Sequence, residues 1–233
     1  MSTPQASRLG IGIVGAGRVG PVLGRALAGA GHAITGISAV SEESRERAEA
    51  MLPGVPILEV QEIVRRSELV LLAIPGPELP GLVTGLAKLG AWQPGQLVIH
   101  TAPEHGTAVF AEAAGVIPIA LHPSMVFTGT SLDLARLSGA TVAVTAPAVV
   151  QPIGQALVVE MGAEPVIVAE SDRGAYAEAV TVAAAASRLA TADAILTLQQ
   201  LGIARADRIV GGAVHAAVDE EMARHSGDPE LGA

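Results

Sequence analysis

The chain is 233 residues long, and half of them are hydrophobic but only 2% aromatic, so Ala, Val, Leu and Ile must build its core. A formal charge of −9, with Lys88 as the sole lysine and the arginines scattered, argues against a surface that neutralises nucleic-acid phosphates. The absence of cysteine excludes disulfides, thiolate metal sites and cysteine nucleophiles together.

The opening MSTPQASRLG is polar, with no basic segment leading into an apolar one, and does not read as a signal peptide. Apolar runs are interrupted by Gly, Pro or polar residues before the roughly 20 residues that cross a bilayer, so a soluble cytoplasmic protein without membrane contact is expected. Short runs rich in Val, Ile and Leu then recur at 9–14, 33–39, around Ile57, and at 69–74, 97–101, 117–121, 140–145 and 165–168. Segments of helical length separate most of them, at 19–29, 42–51, 59–66, 78–89 and 149–161. Nearly continuous apolar strands alternating with helices predict a sheet covered on both faces: an α/β fold, a Rossmann-type doubly wound and mostly parallel sheet over residues 1–169.

After Ala169 the texture changes, and no strand-like run follows. Ser171 or Asp172 can cap a helix of about 30 residues rich in alanine, the best helix former, and Gly202 can end it. A second helix is predicted from about Asp207 to His225, with Ile209, Val210, Ala213, Val214, Ala217, Val218 and Met222 along one side. Residues 170–233 thus form a small all-helical domain, expected to pack on the sheet domain and on a second copy of itself as a homodimer.

The first strand runs into Gly15-x-Gly17-x-x-Gly20, the spacing that grips a dinucleotide when a strand precedes it and a helix follows. Gly15 permits the tight turn, Gly17 lets a pyrophosphate approach the backbone, and Gly20 lets helix close on strand. Ala16, Arg18 and Val19 complete the loop, and the helix N-terminus offers free N–H groups to the phosphates. At the end of the second strand an NAD site usually places an acid. Here Ser38 and Ser41 stand in its place, with Arg45 and Arg47 just beyond, a combination suited to the 2′-phosphate of NADP(H). Glu42 and Glu43 could instead reach a ribose, and the two arginines would also suit a solvated helix face.

Ligands in such sheets sit beyond the carboxyl ends of the strands. Ile74 and Pro75 would border the ribose and nicotinamide, followed by Thr101, then by LHPSMVFTGT with His122, Ser124, Thr128 and Thr130. His122 could protonate a carbonyl oxygen or imine nitrogen, because histidine titrates near neutrality, while Ser124 and Thr128 hold a carboxylate or a water. Before Pro123, however, His122 is equally suited to anchoring a turn. His100 and His105 lie five apart with no carboxylate pattern, so no metal is expected. No G-x-S-x-G elbow supports a hydrolase.

The stretches VGAGRVGPVLGRALAGAGHAITGISAVSEESRERAEAMLPGV, IHTAPEHG and ALHPSMVFTGTSLDLARLSGATVAVTA resemble Rossmann-like proteins with a DUF2520 C-terminal domain, over residues 8–230. These are similar to pyrroline-5-carboxylate, ketopantoate and deazaflavin-dependent NADP reductases. The resemblance implies an NADP-binding N-terminal domain and a helical C-terminal domain that commonly dimerises. Three departures stand out. His100-Thr101-Ala102-Pro103-Glu104-His105-Gly106 replaces H-T-S-G-A-H-G; Ala177, Ala184 and Ala185 replace a His, Ser and Asn while Tyr176 is kept; and the chain stops at SGDPELGA, where relatives continue. The expectation is an NADP-dependent reductase of a small imine or 2-oxo acid. His122, Ser124 and Thr101 would serve the chemistry, and Tyr176, from this chain or a partner, would close the pocket. The alternatives are a non-catalytic or regulatory NADP-binding protein and a deazaflavin-dependent reductase.

Overall fold

The computed structural model describes residues 8–225. The polar start and the SGDPELGA end, on which two expectations fell, lie outside them. Seven strands, β1 (Gly10–Val14), β2 (Ala33–Ser38), β3 (Leu69–Leu72), β4 (Leu97–His100), β5 (Ile117–Pro123), β6 (Thr141–Thr145) and β7 (Glu164–Ile167), form one sheet in the order β2-β1-β3-β4-β5-β6-β7. The first five are mutually parallel. β6 turns back antiparallel to β5, pairing His122 with Ala143, and β7 runs parallel to β6. The apolar run around Ile57 supplies only an isolated bridge to Ile37.

Successive side chains on a strand face opposite ways, so continuous apolar strands must feed two cores. Leu69 and Leu71 join one buried cluster, and Val70 and Leu72 the other. α1 (Gly20–Gly29), α2 (Glu42–Met51) and α6 (Gln151–Glu160) contribute to the first cluster. α3 (Val60–Arg66) and α4 (Leu79–Lys88) build the second, where Trp92 stacks edge-on against Phe110. With so few aromatics, closeness replaces bulk. A Cβ on Gly24 of α1 would collide with Ile13, and one on Gly12 of β1 with Ile63 and Ser67. A short helix, α5 (Leu132–Leu137), was not expected from sequence, because six residues are too few to show a period.

α7 (Arg173–Gln200) follows a 3-10 turn at Glu170–Asp172, in which Ser171 donates its hydroxyl hydrogen to Asp172. α7 ends as expected at Gly202. The residue has φ +77°, with Gly202 N–H donating to the Gln199 carbonyl and Ile203 N–H to that of Leu198, a Schellman closure. α8 (Ala206–His225) follows, with Val210 buried and Ile209 and Met222 exposed. One stretch tests the expectation that every apolar run breaks early. The stretch Glu170–Gln200, 31 residues containing an 18-residue window of mean hydropathy 1.4, is long and apolar enough to cross a membrane by length and composition. Alanines share that hydropathy with Val180, Val182, Leu189, Ile195 and Leu196, and Arg188 and Asp193 interrupt it. The chain divides into two compact units, Met1–Ala177 and Glu178–Ala233, so the first turn of α7 belongs with the sheet.

Candidate active site

The turn from β1 to α1 has the geometry its glycines predict. Gly15 takes φ +106°, closed to L side chains, and a Cβ there would strike the Ala73 carbonyl. A Cβ on Gly20 would strike the Gly15 carbonyl, which is how closely helix and strand meet. Nothing lies within 4 Å of a Cβ placed on Gly17, leaving that side of the loop open to a ligand. Pro21 occupies the start of α1, where its missing N–H costs nothing. Beside the loop, a cavity of about 410 Å³ is lined by Gly15, Ala16, Ser38, Ser41, Ile74 and Glu78, among others. The open face at Gly17, the helix N-terminus and this cavity fit a dinucleotide.

Not every polar side chain here is free for a ligand. Ser38 Oγ accepts from the Gly15 N–H at 2.9 Å, bracing the turn, and Ser41 caps α2 by accepting from the Ser44 N–H at 3.2 Å. Arg45 is exposed on α2, as is Arg18 on the loop. Arg47 reaches back instead: its Nη1 donates to the Ala16 carbonyl at 3.0 Å while its Nη2 pairs with Glu43. Pro75 opens a 3-10 turn at Gly76–Glu78. The Phe127–Thr130 loop closes on the same region, since a Cβ on Gly129 would touch Arg47 and the backbone of Arg18. Buried Asp133 holds that loop by accepting from Thr128 N–H, Gly129 N–H and the Thr128 hydroxyl at 2.7–2.9 Å.

A second polar group gathers at the carboxyl end of β5. The Tyr176 hydroxyl lies 2.8 Å from His122 Nδ1 and 2.8 Å from Ser124 Oγ. His122 and Thr101 line a cavity of about 100 Å³ with Val19, Met125 and Phe127. Tyr176 is held by its own chain, on the first turn of α7. Three residues before it, Arg173 is 2% exposed and donates to Thr145 Oγ1 at 2.7 Å and to the Ala120 and Ala143 carbonyls at 2.9 and 3.4 Å. Among the described residues its Nη1 has no hydrogen-bond partner, and its guanidinium carbon lies 5.7 Å from the Tyr176 ring centroid.

Burial, helped by the nearby Arg173 charge, pushes His122 down from 6.5 to about 4, so its ring is neutral at pH 7 and does not titrate near neutrality as read from sequence. His100, wholly buried, accepts from Ala102 N–H through Nδ1 and donates to the Gly106 carbonyl through Nε2. The adjoining loop is tied twice more. His105 Nε2 donates to the Gly76 carbonyl, and Glu170 accepts from the Thr107 and Ala108 N–H groups at 2.8 and 3.0 Å. Sequence reading missed Arg173 altogether. An arginine opening an alanine-rich helix carries no signal of burial.

A mostly parallel sheet whose first strand feeds a glycine-rich turn and a helix N-terminus defines a fold of Rossmann type. The chain belongs to the Rossmann-like domain family, whose profile matches residues 1–123; residues 140–228 match the domain of unknown function DUF2520. No curated protein matches the sequence. Among solved structures, a 1-pyrroline-5-carboxylate reductase from Streptococcus pyogenes aligns at 20% identity and TM-score 0.70, over 96% of this chain and 83% of that one. A semialdehyde dehydrogenase NAD-binding protein from Cupriavidus necator, in complex with calcium and NAD, aligns at 16% and 0.68, over 96% and 86%. A pyrroline carboxylate reductase from Plasmodium falciparum with NADP bound aligns at 13% and 0.65, over 95% and 80%.

Proposed function

We propose that this protein is an NADP-dependent oxidoreductase that reduces a small imine or 2-oxo acid. The observation that carries the reading is the Tyr176–His122–Ser124 group at the carboxyl end of β5, beside the Thr101–Val19 cavity and on the same end of the sheet as the open glycine turn. Gly15, Gly17 and Gly20 with the α1 N-terminus would hold the pyrophosphate, Ile74 the neighbouring ribose, and exposed Arg45 a 2′-phosphate. A bound dihydronicotinamide supplies hydride. The structural likeness to a reductase crystallised with NADP and to a semialdehyde dehydrogenase NAD-binding protein crystallised with NAD supports a nicotinamide dinucleotide, and Ser38 where an acid would bind both ribose hydroxyls supports NADP. We place the protein in the cytoplasm, as a homodimer joined through α7 and α8.

One observation favours a non-catalytic NADP-binding protein. The cavity at His122, about 100 Å³, is smaller than the roughly 300 Å³ at which ligand pockets begin. Titration with NADPH and NADH, then turnover with a panel of 2-oxo acids and cyclic imines, separates the readings. NADPH binding at least tenfold tighter than NADH, with turnover, supports the reductase. Tight binding without turnover, and His122→Ala changing only stability, supports the alternative.

A further inference from the structure

Resting on the reductase reading, we propose that Tyr176 is the proton donor of this site, its hydroxyl positioned by Ser124 and His122 and backed by the buried guanidinium of Arg173. Four groups could be considered for that role at the end of β5, and the geometry selects among them. The Tyr176 hydroxyl is the point where the two short hydrogen bonds meet, 2.8 Å from Ser124 Oγ and 2.8 Å from His122 Nδ1. A phenol is a much stronger acid than the aliphatic hydroxyls of Ser124 and Thr101. His122 stands close to a cation that opposes a second positive charge on its ring.

Arg173 is what divides the roles. Its guanidinium is buried, its acceptors are a hydroxyl and two carbonyls, and one of its nitrogens has no partner. The adjacent carboxylate, Asp172, makes no ion pair with it and accepts instead from the Ser171 hydroxyl, and Glu170, whose charge does reach the guanidinium, is shared with Thr107 and Ala108. A buried cation whose one interacting carboxylate is shared with other donors is stabilised by negative charge that appears nearby. Beside it, protonating His122 adds like charge, whereas removing the Tyr176 proton creates an opposite one on a ring whose centroid lies 5.7 Å from the guanidinium carbon.

The step balances. The substrate carbon gains the hydride of the dihydronicotinamide, the displaced π pair settles on oxygen or nitrogen, and that atom takes the Tyr176 hydroxyl proton. The tyrosinate oxygen then accepts hydrogen bonds from Ser124 Oγ–H and His122 Nδ1–H, and recovers one proton from solvent through exposed Ser124.

Tyr176 is the only tyrosine in the chain, which makes the test selective. Tyr176→Phe should bind NADPH within twofold of the wild type, showing that it folds, and lose about 100-fold or more in turnover, the usual share of a general acid. Biosynthetic replacement of tyrosine by difluorotyrosine alters this hydroxyl alone and should move the pH–rate profile by the acidity difference between the two phenols. The fluorine resonance of that protein should shift when a 2-oxo acid is added to its NADP+ complex. Turnover by Tyr176→Phe within threefold of wild type, an unmoved profile or an unmoved resonance overturns the proposal. No turnover of any oxo acid or imine by the wild type overturns the reductase reading, and this assignment with it.

Discussion

The Asp133 carboxylate accepts the Gly129 N–H at 2.7 Å from a position with no solvent exposure, so one side chain fixes the loop that abuts Arg18 and Arg47. Hydrogen bonds to a charged group are worth about 1.5–3 kcal/mol each, and an unpaired donor left behind costs a similar amount. Asp133→Asn puts an amide N–H2 against groups that also donate. It should lower unfolding stability by about 2–3 kcal/mol in urea titration; a loss under about 0.5 kcal/mol would remove Asp133 from this role.

Acid sensitivity has two ranges of different origin. Burial and the neighbouring Arg173 and His105 charges outweigh the Gly106 carbonyl and Glu170, taking buried His100 from 6.5 to about 4. The unfolded chain therefore binds more protons between those values, and stability falls as pH drops from 6.5 to 4, by on the order of 3 kcal/mol. For Asp133 and Glu170, burial raises the carboxyls but hydrogen bonds outweigh it: those of Gly129 and Thr128 for Asp133, and those of Ala108 and Thr107 for Glu170. Both end below the ordinary carboxylate range. Their contribution is complete above that range and disappears as pH falls below about 4. Urea midpoints measured from pH 8 to 3 should show both declines, and His100→Gln should lessen only the first, leaving the part contributed by His122, which is lowered over the same range.

The glycine turn makes opposite demands at two positions. Gly17→Ala adds a methyl group to open space and should leave the melting temperature within about 2 °C while abolishing NADPH binding. Gly20→Ala drives a methyl group into the Gly15 carbonyl and should lower stability as well as binding. Thermal melts beside fluorescence titrations distinguish the two, and equal destabilisation by both would contradict the assignment of open space above Gly17.

Arg173 should be visible through its neighbour. Arg173→Met removes a positive charge near His122, so the imidazole should titrate closer to its ordinary value than the wild-type value of about 4. Histidine proton resonances followed against pH read this directly. An unchanged His122 titration would mean that desolvation alone sets it.

Val182, Leu189 and Leu196 recur every seven residues on α7 and are 58%, 59% and 55% exposed. Such a stripe suits burial against a second chain. Leu189→Glu should convert a dimer to a monomer in sedimentation equilibrium; a monomeric wild type would dismiss the homodimer.

Fold and site were not equally legible in the sequence. Strands such as Leu69–Leu72 and Leu97–His100 were readable because burial on both faces leaves an unbroken apolar run, and their helices because turns of Gly and Pro bound them. α5 was too short to carry a period. The glycine loop was readable because backbone geometry restricts residue type there. Side-chain partnerships were less so. Ser38, Ser41 and Arg47 occupy the expected neighbourhood, yet each spends hydrogen bonds on the loop or helix around it, which depends on distances no spacing encodes. Tyr176 and His122 lie 54 positions apart, and only the packing of α7's first turn brings them together.

A core made from small residues has a consequence for how this protein can vary. Here an added side chain on Gly20 would meet the Gly15 backbone carbonyl, which cannot step aside, while on Gly12 and Gly24 it would force the Ile63, Ser67 and Ile13 side chains to move. A saturation scan of the sheet unit would find its most intolerant positions among residues with no side chain at all.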